Sequence, residues 1–262
     1  MTMLGVIGGG GWLASALLRP VLADGIVKPE DLVLSSRSGA ISGFEAWPGV
    51  HMTTDNRVLA DAADIVMLSV RPTDLDEIEL DLRGRLVISV MAGVSAGEIA
   101  DRFGARRIVR AMPNACAEQR QSFTPWFTTD NVREEEADFA ETFFSASGRA
   151  HYVLSEEELD YFTALTGSGP AFPALFADAM IRHAVEAGID PETADIAVRQ
   201  LFLGAATQIA TLRQTPADIV DLFMEYRGTT ASGLAAMMEA DIAHAVFRGL
   251  DAAHRRAARG SE

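Results

Sequence analysis

Four consecutive glycines, Gly8 to Gly11, stand between the apolar run "MLGVI" and the helix-like run "WLASALL". A bare backbone between a buried strand and an amphipathic helix suits a dinucleotide-binding turn better than a flexible linker. Glycine permits the sharp turn, lets a pyrophosphate approach the main chain, and lets the helix pack closely on the strand. The helix start then offers free N–H groups and the positive end of its dipole to the phosphates. Two registers fit. Counted from the strand, Gly8-x-Gly10 puts Leu13 at the third, small-residue position; counted back from the helix, Gly9-x-Gly11-x-x-Ala14 keeps a small residue there. The second is preferred, because a leucine would hold helix and strand apart. Gly9, Gly10, Gly11, Trp12 and Leu13 are therefore candidate cofactor contacts.

The next apolar run ends in Ser35-Ser36-Arg37-Ser38. An NAD site carries an acidic residue at that place for the ribose hydroxyls, whereas an NADP site carries arginine or small polar groups. With no carboxylate there and one guanidinium able to pair with a 2′-phosphate, Ser36 and Arg37 point to NADPH, with NADH as the alternative. Nothing suggests a metal: the five histidines are scattered, and His183, His244 and His254 fall in predicted helices. The single cysteine, Cys116, excludes an internal disulfide framework and reads as an incidental or buried thiol.

The elements that must position these residues follow from the hydrophobic pattern. Residues 4–7, 31–36, 64–70, 85–91 and 106–112 are apolar runs of strand length, with helical segments between several of them. Strands alternating with helices predict an α/β fold with a parallel sheet covered on both faces. From "SEEELDYFTALT" onward the pattern is helical, long and alanine-rich, with Ser155 and Glu158 spaced as a helix-start cap. The expected division is an α/β domain over residues 1–154 and an all-helical domain over residues 155–262. Runs such as "LFLGAATQIATL" leave little polar surface, so the helices must be covered on more than one face.

Composition narrows the partners. With 37 acidic against 22 basic residues the net charge is −15, which disfavours nucleic-acid and anionic-membrane surfaces. No apolar stretch reaches the roughly 18 residues that span a bilayer. The first residues lack the basic segment and cleavage site of a signal peptide, so a cytoplasmic protein is expected.

Six segments, in order, resemble the pyrroline-5-carboxylate reductase family. They are "GGGWLASAL" (9–17), "TTDNRVLADAADIVMLSVRP" (53–72), "VISVMAG" (87–93), "RIVRAMPN" (107–114), "ALTGSGPAF" (164–172) and "RGTTASGL" (227–234). The resemblance implies a Rossmann domain followed by a helical domain that dimerises. It implies hydride transfer from NAD(P)H to the imine carbon of a small, anionic cyclic substrate, most simply 1-pyrroline-5-carboxylate giving L-proline. By family position, Asn56, Ser69, Val70, Arg71, Pro72, Ala92, Gly93 and Asn114 line the cofactor. Thr229 and Thr230 are the catalytic pair, and Gly228 and Arg227 join them around the substrate. The chemistry agrees, since a carboxylate is held well by the N–H groups and hydroxyls of "GTT" opening a helix.

Three departures bear on the substrate. Ala115-Cys116 stand where the family has Thr-Pro. The stretch "AEQRQSFTPWF" (117–127) replaces a small, glycine-containing one. Glu225, Tyr226 and Arg227 replace Ser-Pro-Gly. Two alternatives follow. One is a related NADP-dependent imine or hydroxy-acid oxidoreductase with a more polar substrate, although residues 163–172 offer no lysine to serve as a general base. The other is a non-enzymatic NADP-binding regulator.

Overall fold

The computed structural model describes residues 2–39 and 41–258. The chain resolves into two compact units, one running to Ser168 and including the chain from Ala253, the other Gly169–Ala252.

The first unit is built on an eight-stranded sheet. In chain order the strands are β1 (Leu4–Ile7), β2 (Leu32–Ser35), β3 (His51–Thr53), β4 (Ile65–Leu68), β5 (Leu86–Ser89), β6 (Arg107–Ala111), β7 (Ser122–Thr128) and β8 (Gly148–Tyr152). Their spatial order is β3-β2-β1-β4-β5-β6-β7-β8. Neighbours run parallel except for β6 and β7. The order reverses direction beside β1, which leads first outward to β2 and β3 and then, on its other side, to β4. Such a switch point opens a crevice at the carboxyl ends of the strands.

Strands β1, β2, β4 and β5 are buried along their whole length, which is why they read as continuous apolar runs. Helices cover both faces. Helix α1 (Trp12–Ala23) and helix α4 (Glu134–Ser145) contribute Leu17, Leu18, Phe143 and Phe144 to one core, against Val6, Leu34, Met67 and Ile88. Helix α2 (Asn56–Ala62) and helix α3 (Ala96–Phe103) contribute Leu59, Ile99 and Phe103 to the other, against Ile7, Val66, Leu68 and Val87. A further helix, α5 (Glu156–Phe162), is capped by Ser155 and passes into a π-turn at Thr163–Gly167.

Three strands escape the hydrophobic pattern. β3 is three residues long and largely exposed, and β8 is mostly exposed or half-buried, so neither shows an apolar alternation. β7 contains Pro125, a residue that argues against a strand. It is accommodated at the end of the β6 ladder, where its carbonyl accepts the Met112 N–H at 2.9 Å. The bulky stretch after Asn114 thus supplies a short 3-10 turn, Ala115–Gln119, and an added strand.

The second unit is helical, with α6 (Ala171–Glu186), α7 (Pro191–Thr211), α8 (Pro216–Glu225), α9 (Thr229–Glu239) and most of α10 (Ile242–Ala258). Phe176 of α6 meets Phe202 of α7 edge-on, 5.9 Å between ring centres. Among the described residues of this unit only Ala194, Val198 and Ala231 are buried. Among the described residues of the whole chain, no helix is long and apolar enough to cross a membrane.

Candidate active site

A cleft of about 510 Å³ opens at the switch point. Its walls come from the ends of three strands: Ile7, Gly8, Gly10 and Gly11 after β1, Ser35 to Ser38 after β2, and Ser69 to Arg71 after β4. Asn56, Asp74, Glu77 and Ile78 complete it. The turn after β1 is stitched to both neighbours. The N–H groups of Gly8 and Gly9 donate to the Ser35 carbonyl at 3.1 and 2.9 Å, and the Ser69 N–H donates to the Ile7 carbonyl at 2.9 Å.

Gly8 has φ +82°, and a Cβ there would lie 2.3 Å from the Ser69 carbonyl oxygen. Only glycine fits this left-handed, crowded position. Gly11 is the N-cap of α1, whose first turn has no side-chain cap and no acidic residue. Ala14 is fully buried beneath the helix. Gly8, Gly9 and Gly11 are each crowded where a Cβ would stand, so both registers that the sequence allows remain compatible with this turn. A Cβ on Gly9 would lie 2.8 Å from the Leu34 Cβ, so the turn packs directly on β2.

At the other end of the cleft, the Ser36 hydroxyl oxygen is buried without a hydrogen-bond partner. Arg37 is exposed beside it. The Ser35 hydroxyl donates to Asn56 Oδ1 at 2.6 Å, and Asp55 caps α2 by accepting from the Arg57 N–H at 2.8 Å. A glycine cradle without room for a Cβ, an uncapped helix start, an orphaned hydroxyl and an arginine together suit a phosphorylated dinucleotide.

Of the residues expected to hold the cofactor, the cleft brings together Gly10, Gly11, Ser36, Arg37, Asn56, Ser69, Val70 and Arg71. Others lie elsewhere. Trp12 Nε1 reaches Glu118 at 3.4 Å, and Leu13 packs against the core. Pro72 opens the 3-10 turn Pro72–Glu77. Ala92 and Gly93 follow β5, with Gly93 at φ +68°. Asn114 is buried, accepting from the Cys116 N–H at 2.9 Å. Gly8 belongs to the register the sequence made second choice, and Asp74 and Glu77 were not foreseen, although Asp74 stands three residues after Arg71, a spacing that favours an ion pair.

Thr229 and Thr230 belong to the helical unit. They open α9 behind the N-cap Gly228, in an exposed first turn without acidic residues. Arg227 precedes them with φ +50°, also exposed. Among the described residues no group of three or more His, Cys, Asp or Glu could hold a metal ion.

Fold and cleft define a dinucleotide-binding α/β protein with a helical second unit. Residues 3–93 match the coenzyme F420-dependent NADP oxidoreductase family, and residues 156–260 match pyrroline-5-carboxylate reductase dimerisation. A pyrroline-5-carboxylate reductase of Synechocystis is 33% identical over 258 residues, covering 97% of this chain and 96% of its own. The solved reductase of Coxiella burnetii superposes with a TM-score of 0.86 at 30% identity, covering 100% of this chain and 99% of its own. That of Plasmodium falciparum, with NADP bound, shares the fold with a TM-score of 0.87 at 24% identity, covering 99% and 98%. The chain belongs to the pyrroline-5-carboxylate reductase family.

Proposed function

We propose that this protein reduces 1-pyrroline-5-carboxylate to L-proline, with NADPH bound in the switch-point cleft, and works as a homodimer or larger homo-oligomer. The observation that carries the proposal is the cleft itself, in which a turn closed to any Cβ at Gly8 faces an orphaned Ser36 hydroxyl and Arg37. When bound, the cofactor supplies the hydride for the imine carbon. The chain's own groups then bind and orient. The N–H groups opening α1 take the pyrophosphate, and Ser36 with Arg37 takes the 2′-phosphate. Asn56 and residues 69–72 flank the remaining cofactor, as do Ala92, Gly93 and Asn114. At α9, the helix-start N–H groups with Gly228, Thr229 and Thr230 hold the substrate carboxylate, and the Thr230 hydroxyl hydrogen-bonds beside the imine. No nucleophile or metal is needed, because orientation and electrostatics suffice for hydride transfer. Residues 1–154 serve as the cofactor domain and 155–262 as the substrate and dimerisation domain.

The test is turnover of NADPH with 1-pyrroline-5-carboxylate and with a panel of other cyclic imines, for the unmodified protein and Thr230→Val. Loss of one preorganised donor lowers kcat/KM about ten- to a thousandfold while leaving cofactor affinity intact. Unchanged efficiency would remove Thr230 from the site. No turnover of any imine would leave a binding protein rather than a reductase. A more polar substrate is the second reading, favoured by the exposed Arg227 beside Gly228. Faster turnover of an imine bearing an additional acidic group would establish it.

A further inference from the structure

The switch-point cleft carries its own counter-ions. Arg71 Nε donates to Asp74 Oδ2 and Arg71 Nη2 to Asp74 Oδ1, each at 3.2 Å, so the carboxylate fills the guanidinium fork. Arg37 Nη2 lies 3.5 Å from the same Asp74 Oδ2, and Arg37 Nη1 lies 3.6 Å from Glu77 Oε2. Asp74 is the inner group, with its side chain 21% exposed, against 68% for Glu77. All four line one cleft with Ser36.

The four formal charges cancel. A 2′-phosphate paired with Arg37 meets Asp74, a carboxylate that fills the Arg71 fork and lies 3.5 Å from Arg37. Each pair is exposed enough to contribute little to stability, so a ligand can displace it at small cost. The carboxylate's charge stays beside the bound phosphate and repels it. Toward a dinucleotide without the 2′-phosphate the balance differs. The ribose hydroxyls are neutral donors, and a nearby carboxylate is the acceptor that NAD sites use. Here that acceptor comes from the turn after β4 rather than from the end of β2.

We infer that Asp74 is a specificity-determining residue: by neutralising Arg37 and Arg71 it narrows the preference for the 2′-phosphorylated dinucleotide over its unphosphorylated counterpart. The inference rests on the cleft being the dinucleotide site. Glu77 acts in the same sense, more weakly because it is more exposed.

The test is calorimetric titration of the full chain with NADPH, NADH, adenosine 2′,5′-bisphosphate and 5′-AMP, at low and at moderate salt. Removing one negative charge a few ångströms from a phosphate tightens binding by about three- to tenfold, less at higher salt. Asp74→Asn should raise the NADPH-to-NADH affinity ratio by that factor, and the bisphosphate-to-AMP ratio likewise. Glu77→Gln should raise both ratios less. In the Arg37→Ala background the gain should be smaller but still present, because Asp74→Asn then removes only the direct repulsion and frees only Arg71; an equally large gain there would overturn the neutralisation of Arg37. A ratio unchanged or lowered in both Asp74→Asn and Asp74→Ala, with melting temperatures kept, overturns the inference while leaving the cleft as the cofactor site. Failure of the unmodified protein to bind either dinucleotide overturns both.

Discussion

At Gly8 the backbone is left-handed, and the atom nearest an added Cβ is the main-chain carbonyl oxygen of Ser69, whose N–H is bonded to Ile7 just past the end of β4. Gly8→Ala therefore combines backbone strain with a clash that no side-chain movement relieves, and it should cost about 2–4 kcal/mol of stability. Thermal unfolding would measure it. A variant as stable as the parent, with NADPH affinity kept, would show that this turn is not under such constraint. Arg227 has the opposite relation to its backbone. Its φ of +50° is a conformation that glycine adopts freely, and glycine is what the family resemblance implies there. Arg227→Gly should relieve strain, offset in part by the greater entropy of the unfolded chain, for a net gain of about 0.5–1 kcal/mol. That corresponds to a rise in Tm of about 2 °C. Arg120 and Asp241 share this conformation at φ +57°, so the role of Arg227 rests on its place before Gly228 and not on its backbone. If it serves a polar substrate, Arg227→Gly should gain stability and improve reduction of 1-pyrroline-5-carboxylate together. A gain in stability with unchanged kinetics would make Arg227 neutral to substrate choice.

Among the elements, α4 is tied to the sheet by a buried carboxylate. Glu136 Oε1 accepts from Arg107 Nη1 at 2.7 Å and from Arg133 Nη2 at 2.8 Å, joining the helix start to β6. Burial pushes the Glu136 carboxyl up. Hydrogen bonds from the Arg133 side chain and backbone, with the charges of Arg107 and Arg133, outweigh burial and hold it below its ordinary value. A carboxyl lowered on folding stabilises the protein above its unfolded value of about 4.3, and that contribution fades as pH falls through the folded value. Glu136→Gln should thus cost about 1–2 kcal/mol at neutral pH, moderated by the exposure of Arg133, and progressively less in acid. Unfolding curves across that range would reveal it, and a loss that did not shrink below pH 4 would contradict the assignment. A second anchor holds α5. Arg110 of β6, almost wholly buried, donates to Glu156 Oε1 at 2.5 Å, and the same oxygen accepts the Ala96 N–H that opens α3 at 2.8 Å. Nearby, burial raises the Asp160 carboxyl, opposed by the charge of Arg110. These ties fix the helices that follow β7 and β8 without adding apolar surface, which leaves their sequences ordinary to read.

For the molecule as a whole, the helical unit is what a single chain leaves unfinished. Leu175 is 67% exposed, Leu203 64% and Phe247 62%. Apolar exposure on this scale marks an interaction surface. Occupation by a second copy is the proposal above, and it predicts at least a dimer in sedimentation at micromolar concentration. Leu203→Glu discriminates. On a solvent-facing helix it would change stability by less than about 0.5 kcal/mol. In a subunit interface it should weaken association about tenfold or more and lower Tm with it. A compact, active monomer of the unmodified protein would end the oligomer proposal. The charge of −15 has a role at this scale too, since it leaves local arginines and helix starts as the attraction for an anionic cofactor and substrate.

What the sequence by itself determined is local or repeated. The buried parallel strands announce themselves as apolar runs because both faces are covered. The glycine run declares a turn because side chains there would crowd it, most severely at Gly8, and "GTT" opens a helix as its types predict. Six matching segments in order carried the family. Tertiary structure alone decided the rest. The need for glycine at position 8 comes from Ser69, distant in sequence, standing against it. β3, β7 and β8 form because neighbouring strands pair with them, not because their own residues insist. Asp74 enters the cleft from the turn after β4, more than thirty residues beyond Arg37, because two strands apart in the chain end at one crevice. Periodicity and propensity are properties of neighbours along the chain, whereas the charge balance of a cleft is set by which strand ends the sheet order brings together.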